Sequence, residues 1–321
     1  MNKDALDFDG DLKGLSPAGW IQALTALGDE HGYFAHLGDD HMALFLDAGP
    51  KLLVSFEDAE NVRNGRKGAA PFGFKFVSED GWSLLTVMSA GPSWFREEHI
   101  YRHFDRLTDD GFFDDFEQVL FVGDGPAGYA AAAYSVAAPG ARVFVTRPQA
   151  TQNPRQAGFD RRYRLQRRVD FTSRYGYGPD MIEAAAQAYM VFDPLHQVDA
   201  THAALFTREN VTMLRTPGYG NTLPNMLRSM QIEDDLVTAA MDGTLTEAAF
   251  YRMNRARKGQ TSHRRNVVRL AAKRGHPRLA ASLCSGALAS GGFDPFYAKQ
   301  LKELEKAGFA PLGTALQSAA E

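Results

Sequence analysis

The stretch that decides the fold is Gln118-Val119-Leu120-Phe121-Val122-Gly123-Asp124-Gly125-Pro126-Ala127-Gly128-Tyr129-Ala130-Ala131. After Gln118 come four apolar, β-prone residues, the pattern of a short buried strand. Three glycines within six positions then mark a turn in which side chains would collide with the flanking elements. Residues 129–138 are alanine-rich and helix-forming, Pro139-Gly140 ends the helix, and residues 142–146 return to an apolar strand pattern. Strand, glycine turn, helix and strand form the unit from which parallel sheets are built. The expectation is an α/β fold, a mostly parallel sheet with flanking helices.

Working outward, residues 16–37 read as an amphipathic helix opened by Ser16-Pro17, with Trp20, Ile21, Leu24 and Leu27 at helical spacing. Strands are expected at 42–46 and 52–56, around the turn Asp47-Ala48-Gly49-Pro50. Residues 57–73 read as a loop, 82–88 as a strand, and 101–116 as partly helical. Downstream, strands are expected at 189–192 and 211–214, with a helix at about 199–206 between them. Beyond residue 221 strand signals stop, and 222–240, 244–258, 262–274, 277–289 and 295–307 read as helices. The expected organisation is a sheet domain over 1–221, with 147–185 as a cap insertion, and a helical C-terminal region over 222–321. Residues 310–321 are expected to fray.

Of the 321 residues 44% are hydrophobic and the net charge is −4, so the chain can bury a large core and its surface is not built for nucleic acid. The single cysteine, Cys284, excludes an internal disulfide and any multi-cysteine metal site, and fits a reducing compartment. The opening MNKDALDFDGDLKG lacks an apolar signal core, and no run of about 18 apolar residues offers a membrane span. The expectation is a cytoplasmic protein that contacts neither membrane nor nucleic acid. A homo-oligomer is left open.

The segment from Val122 to Ala131 resembles the Gly-x-Ser-x-Gly-Gly-Tyr-Ala-Ala nucleophile elbow of small α/β-hydrolases. It is similar also to hydrolase-like modules of bacterial polysaccharide and accessory secretion systems. The resemblance spans roughly residues 118 to 221 and implies an α/β-hydrolase-like fold. In its register the nucleophile position falls on Gly125. The resemblance implies an acid after a later strand, where Asp193 stands, and a histidine after the next strand. That position falls near Gly220, beside Asn221, in a loop without histidine. Ser…Asp…His becomes Gly…Asp…Gly. Glycine has no hydroxyl to attack a carbonyl, and no imidazole is there to take a proton. The reading is a degenerate hydrolase kept as a binding or scaffolding module.

Alternatives stay open at this point. An active hydrolase or acyltransferase would use Asp193 with Tyr219 or with His196 as a displaced base. A pocket at the carboxyl ends of the strands would draw on Ser55, Phe56, Asp124, Gly125, Pro126, Arg147, Gln149 and Asn221. The resemblance assigns Ser55-Phe56 to part of the oxyanion hole. Gly123-x-Gly125-x-x-Gly128 also satisfies the dinucleotide fingerprint. Arg147 would suit a 2′-phosphate, whereas Asp124 would repel phosphate. Arg161, Arg162, Arg164, Arg167, Arg168 and Arg174, interleaved with tyrosines, read either as a site for an anionic or carbohydrate-related ligand or as a structural charged face.

His99 and His103 have metal-binding spacing without HExxH, and no metal or cofactor is expected. His202 reads as structural and Cys284 as a buried inert thiol. A sulfonucleotide (phosphoadenosine phosphosulfate) reductase is disfavoured. Its SGG-type loop near the N-terminus and its Glu-Cys-Gly-x-His-like tail are both missing.

Overall fold

The computed structural model describes residues 12–291 and 293–312. Part of the expected frayed tail therefore lies outside the described residues. Eight strands form one sheet: β1 (Gly32–Leu37), β2 (His41–Leu46), β3 (Lys51–Asp58), β4 (Ser83–Ser89), β5 (Gln118–Asp124), β6 (Arg142–Thr146), β7 (Gln187–Phe192) and β8 (Val211–Arg215). Their order is β1-β2-β4-β3-β5-β6-β7-β8. β2 runs antiparallel to β1 and β4, and the remaining pairs are parallel. This is an α/β-hydrolase-like sheet. The carboxyl ends of the parallel strands and the start of β2 share one edge, as the pairing of His41 with Ser89 shows.

The central strands are apolar along their length because helices cover both faces. Along β3 the faces alternate. Leu52, Val54 and Phe56 enter one core, which also holds Tyr129 and Tyr134 of the elbow helix Pro126–Tyr134. Leu53 enters the other, with Leu120 and Phe144. The alternation follows from the two-residue period of a strand.

Three elements depart from expectation. The first helix ends at His31, and Gly32 opens an edge strand. A Cβ on Gly32 would lie 2.3 Å from the Phe45 carbonyl oxygen, so glycine lets the strand approach its neighbour. The expected loop at 57–73 contains a helix, Ala59–Gly65, capped by Asp58, whose carboxylate accepts from Asn61 N at 2.8 Å. A further helix, Phe74–Asp80, follows it. The expected helix at 222–240 is two helices, Leu223–Ser229 and Glu233–Met241. They part at Gln231, which sits at φ 57.

The helices after β8 fall into two sets. Leu223, Leu227, Leu236, Val237 and Phe250 pack into the sheet's second core. Thr261–Lys273, Pro277–Gly291 and Pro295–Lys306 form their own small core around Val268, Ala280, Cys284 and Tyr297. Cys284 is buried there, and burial raises its thiol pKa. Residues between β6 and β7 pack onto the first core through Ala150, Phe171 and Ile182. Among the described residues no helix is long and apolar enough to cross a membrane.

Candidate functional site

The glycine turn after β5 is a sharp strand-to-helix bend centred on Gly125. Gly125 has φ 56 and ψ −118, a conformation costly for any residue with a side chain. Its N–H donates to the Thr146 carbonyl at 3.0 Å, and its carbonyl accepts from Tyr129 N at 2.9 Å. The flanking glycines are sterically required. A Cβ on Gly123 would lie 2.3 Å from Ala127 O, and one on Gly128 2.5 Å from Val145 Cγ1. Gly125 is different, because the nearest atom to its Cβ position is Arg147 Nη2, at 3.7 Å. The turn has room for a side chain at Gly125, where the resemblance puts the nucleophile, and carries none.

Arg147 and Asp124 close over this point. Arg147 Nε donates to Asp124 Oδ1 at 2.8 Å, its Nη2 pairs with Oδ2, and Thr146 Oγ1 donates to Oδ1 at 2.7 Å. The pairing spends the cation that the dinucleotide reading needed for a 2′-phosphate. Pro126 opens the helix and removes one N–H from the loop that would cradle phosphate.

Asp193 follows β7 and is 3% exposed. Its Oδ1 accepts from Leu195 N at 2.8 Å, and its Oδ2 from Gly218 N at 3.0 Å and Gly220 N at 2.7 Å. The structure thus brings Asp193 to the loop where the resemblance puts the base. Backbone amides take up the carboxylate there. Gly220, at φ 51, has open space around its Cβ position.

Other expected site residues are placed differently. Tyr219 is 2% exposed and belongs to the second core, with its hydroxyl 2.6 Å from Asn254 Oδ1. His196 caps the helix Gln197–Leu205, and its Nδ1 lies 3.0 Å from Asp199 Oδ2. Gln149 is buried, bonded to Arg147 O, Asp199 and Arg162. Asn221 is exposed on the turn Gly220–Thr222. Ser55 and Phe56 stand inside β3, which continues to Asp58, rather than in a loop.

In the basic stretch Arg162 binds Asp160 and Asp199, and Arg174 pairs with Asp105 and Glu98. Arg161, Arg164 and Arg168 are exposed. His103 contacts the Tyr33 hydroxyl at 3.4 Å, and burial lowers its pKa to about 4. Among the described residues no group of three His, Cys, Asp or Glu side chains is placed to hold a metal.

A cavity of about 560 Å³ lies beside the elbow. Ser55, Phe56, Asp124, Pro126 and Arg147 line it, as do four residues that the sequence did not single out: Glu57, Arg66, Arg228 and Glu233. Buried Glu57 accepts from Phe72 N at 2.9 Å and from Ser55 Oγ at 3.2 Å. Arg66 Nε lies 2.8 Å from Glu57 Oε2, and its guanidinium covers the Phe72 ring at 5.0 Å. Arg228 Nε is 3.9 Å from Glu233 Oε2.

Burial pushes the Glu233 pKa up to about 7, against the pull of Arg66 and Arg228. The folded state therefore binds a proton on Glu233 more tightly than the unfolded chain does. Stability from this group is full below the unfolded pKa and is lost as pH rises through 7. Glu233→Gln is expected to be near neutral at pH 5 and stabilising by about 2 kcal/mol at pH 8. Urea titrations at the two pH values check this, and an equal effect at both would contradict it.

No family model and no curated protein matches the chain. Similar solved structures include a Glycosylation Associate Protein (Gap123) complex from Streptococcus agalactiae, at 12% identity and TM-score 0.42, covering 64% of this chain and 45% of that one. The chain thus spans less than half of the Gap123 chain. Brefeldin A esterase, a bacterial homologue of human hormone sensitive lipase, is 13% identical at TM-score 0.39, over 71% of this chain and 88% of that one. A bacterial heroin esterase is 14% identical at TM-score 0.43, over 64% and 80% respectively. The likeness is one of fold alone. At these identities it carries no residue roles.

Proposed function

We propose that this chain is a ligand-binding protein on an α/β-hydrolase-like scaffold, without serine-hydrolase chemistry at its elbow. The observation that carries this reading is the pairing of an elbow-like backbone at Gly125, of a kind that strains residues with a side chain, with no side chain to use it. The saturation of Asp193 by three backbone amides supports it. The occupant is a small anionic or carbohydrate-related molecule. Guanidinium and carboxylate groups from Arg66, Arg228, Glu57 and Glu233 offer donors and acceptors for hydroxyl or acid oxygens, and Phe56 and Phe72 add apolar wall.

Thermal-shift titration with neutral sugars, uronic acids and phosphorylated sugars tests the binding arm, since a ligand held only by the folded state raises the midpoint. No shift at millimolar concentration with any of them would count against it. An ester and thioester screen tests the other arm. Turnover that disappears in a folded Asp193→Asn variant would overturn the reading. Gly125→Ser is expected to fold, to lose about 1–2 kcal/mol to backbone strain, and to gain no Asp193-dependent turnover.

A further inference from the structure

Ser93 and His41 meet away from the elbow. β2 begins at His41 and pairs with the end of β4 at Ser89. The loop after β4 then returns Ser93, so that its Oγ lies 2.7 Å from His41 Nε2. His41 is 2% exposed, and burial holds its pKa down at about 4, so the ring is neutral at neutral pH. Its buried Nδ1 has no hydrogen-bond partner. The Phe95 N–H donates to Ser93 Oγ at 2.9 Å, and in the His41 tautomer protonated on Nδ1 the hydroxyl proton points at Nε2.

The loop is held in an unfavourable conformation by many contacts. Phe95 has φ 55, rare for a bulky residue, and its carbonyl accepts from the Tyr134 hydroxyl. Arg96 is 8% exposed and donates to Asp170 O at 2.9 Å, Arg174 O at 2.6 Å and Ser173 Oγ at 2.9 Å. Strain held in place in this way concentrates at functional sites. Ser93 stands on a wall shared by the elbow cavity and a neighbouring one of about 420 Å³, which His41 also lines.

We propose that Ser93 and His41 form a nucleophile–base dyad that accepts an acyl group from an activated ester bound in the elbow cavity. This goes beyond the binding reading, since it gives the cavity a chemistry that uses neither Gly125 nor Asp193. Ser93 Oγ bonds to the carbonyl carbon and its proton passes to His41 Nε2. Collapse breaks the bond to the leaving oxygen, which takes that proton. Water then attacks the acyl-serine with His41 as base, releasing the acid and restoring Ser93. An imidazole this weakly basic favours good leaving groups and lets the acyl-serine accumulate.

The test uses the full chain with a fluorophosphonate probe and with p-nitrophenyl acetate, read by intact mass and peptide mapping. One adduct on Ser93 is expected, with a nitrophenol burst stoichiometric with protein. Both should vanish in Ser93→Ala and slow at least tenfold in His41→Gln. No adduct, an adduct on another residue only, or undiminished labelling in folded His41→Gln overturns the proposal. The wild-type and Ser93→Ala measurements leave the buried ring unaltered, so they decide it even where His41→Gln does not fold.

Discussion

Replacing Arg162 by alanine is expected to destabilise the fold by about 3 kcal/mol, more than replacing the exposed Arg161, Arg164 or Arg168. Asp160 is 0% exposed and Asp199 1% exposed, and Arg162 is the cation that joins them. Its Nη1 donates to Asp199 Oδ1 at 2.7 Å, its Nη2 to Asp160 Oδ2 at 2.9 Å and its Nε to Asp160 Oδ1 at 3.1 Å. His202 completes the cluster. Its Nδ1 accepts from Ala150 N at 3.1 Å, so its proton sits on Nε2, 3.1 Å from Asp160 Oδ2.

Burial pushes the Asp160 carboxyl up, but the hydrogen bonds from His202 and Arg162 outweigh it and hold the pKa well below the usual carboxylate range. Without Arg162, the two buried carboxylates lose the guanidinium that bridges them. The Arg162 side chain is itself 29% exposed, so water offsets part of the loss and the value sits at the low end for a broken buried pair. Because the folded Asp160 pKa is depressed, this stabilisation is present above the unfolded carboxylate pKa of about 3.9 and is lost as pH falls from there through the folded value. The penalty is therefore expected at pH 7 and should shrink only in acid below about pH 4. Arg164→Ala, exposed on the same stretch, is expected to stay within about 0.5 kcal/mol. Urea titrations that gave the two variants equal losses would contradict this account.

The cluster also shows where the sequence stops being readable. Six arginines in a short stretch carry no mark of which one faces inward. Arg162 is set apart only by Asp160 beside it and by Asp199, brought in from a later helix. The glycine turn was legible for the opposite reason: Gly123 and Gly128 are forced by contacts within one continuous strand–turn–helix–strand unit, with Ala127 and with Val145. That Asp193 lies beside the loop after β8 was legible through chain order alone. Edge strand β1 was not, because Gly32 sits at the end of a good helical pattern and its close approach to Phe45 is a tertiary fact. Tyr219 looked like a site residue between two glycines, yet its ring fills the core and its hydroxyl is spent on Asn254. Arg66, Arg228 and Glu233 reach the cavity from segments without any motif, so only tertiary packing reveals them: Arg66 from the end of Ala59–Gly65, the other two from Leu223–Ser229 and Glu233–Met241. The meeting of Ser93 with His41 depends likewise on the β2–β4 register.

Asp193→Asn should separate a catalytic acid from a structural one. In a working triad the acid orients a histidine, and an isosteric amide leaves the geometry intact while rate falls. Here the carboxylate is a pure acceptor for three backbone N–H groups, two of them on Oδ2. An amide offers one acceptor oxygen and sets donors against the other N–H groups. Charge-assisted bonds of this kind are each worth about 1.5–3 kcal/mol, and an unpaired buried donor costs about 1–3 kcal/mol. Gly218 and Gly220 are half-buried, so water recovers part of this. The expected loss is about 2–3 kcal/mol for Asp193→Asn, no smaller than for Asp193→Ala, with a melting temperature lower by about 5 °C. Calorimetry of the two variants checks the ordering. A stable Asp193→Asn would mean that the amides do not depend on the charge, and the carboxylate would then need another use. A destabilised one shows that the carboxylate's role here is structural: it ties the loop at Gly218-Tyr219-Gly220 to the end of β7 through backbone amides.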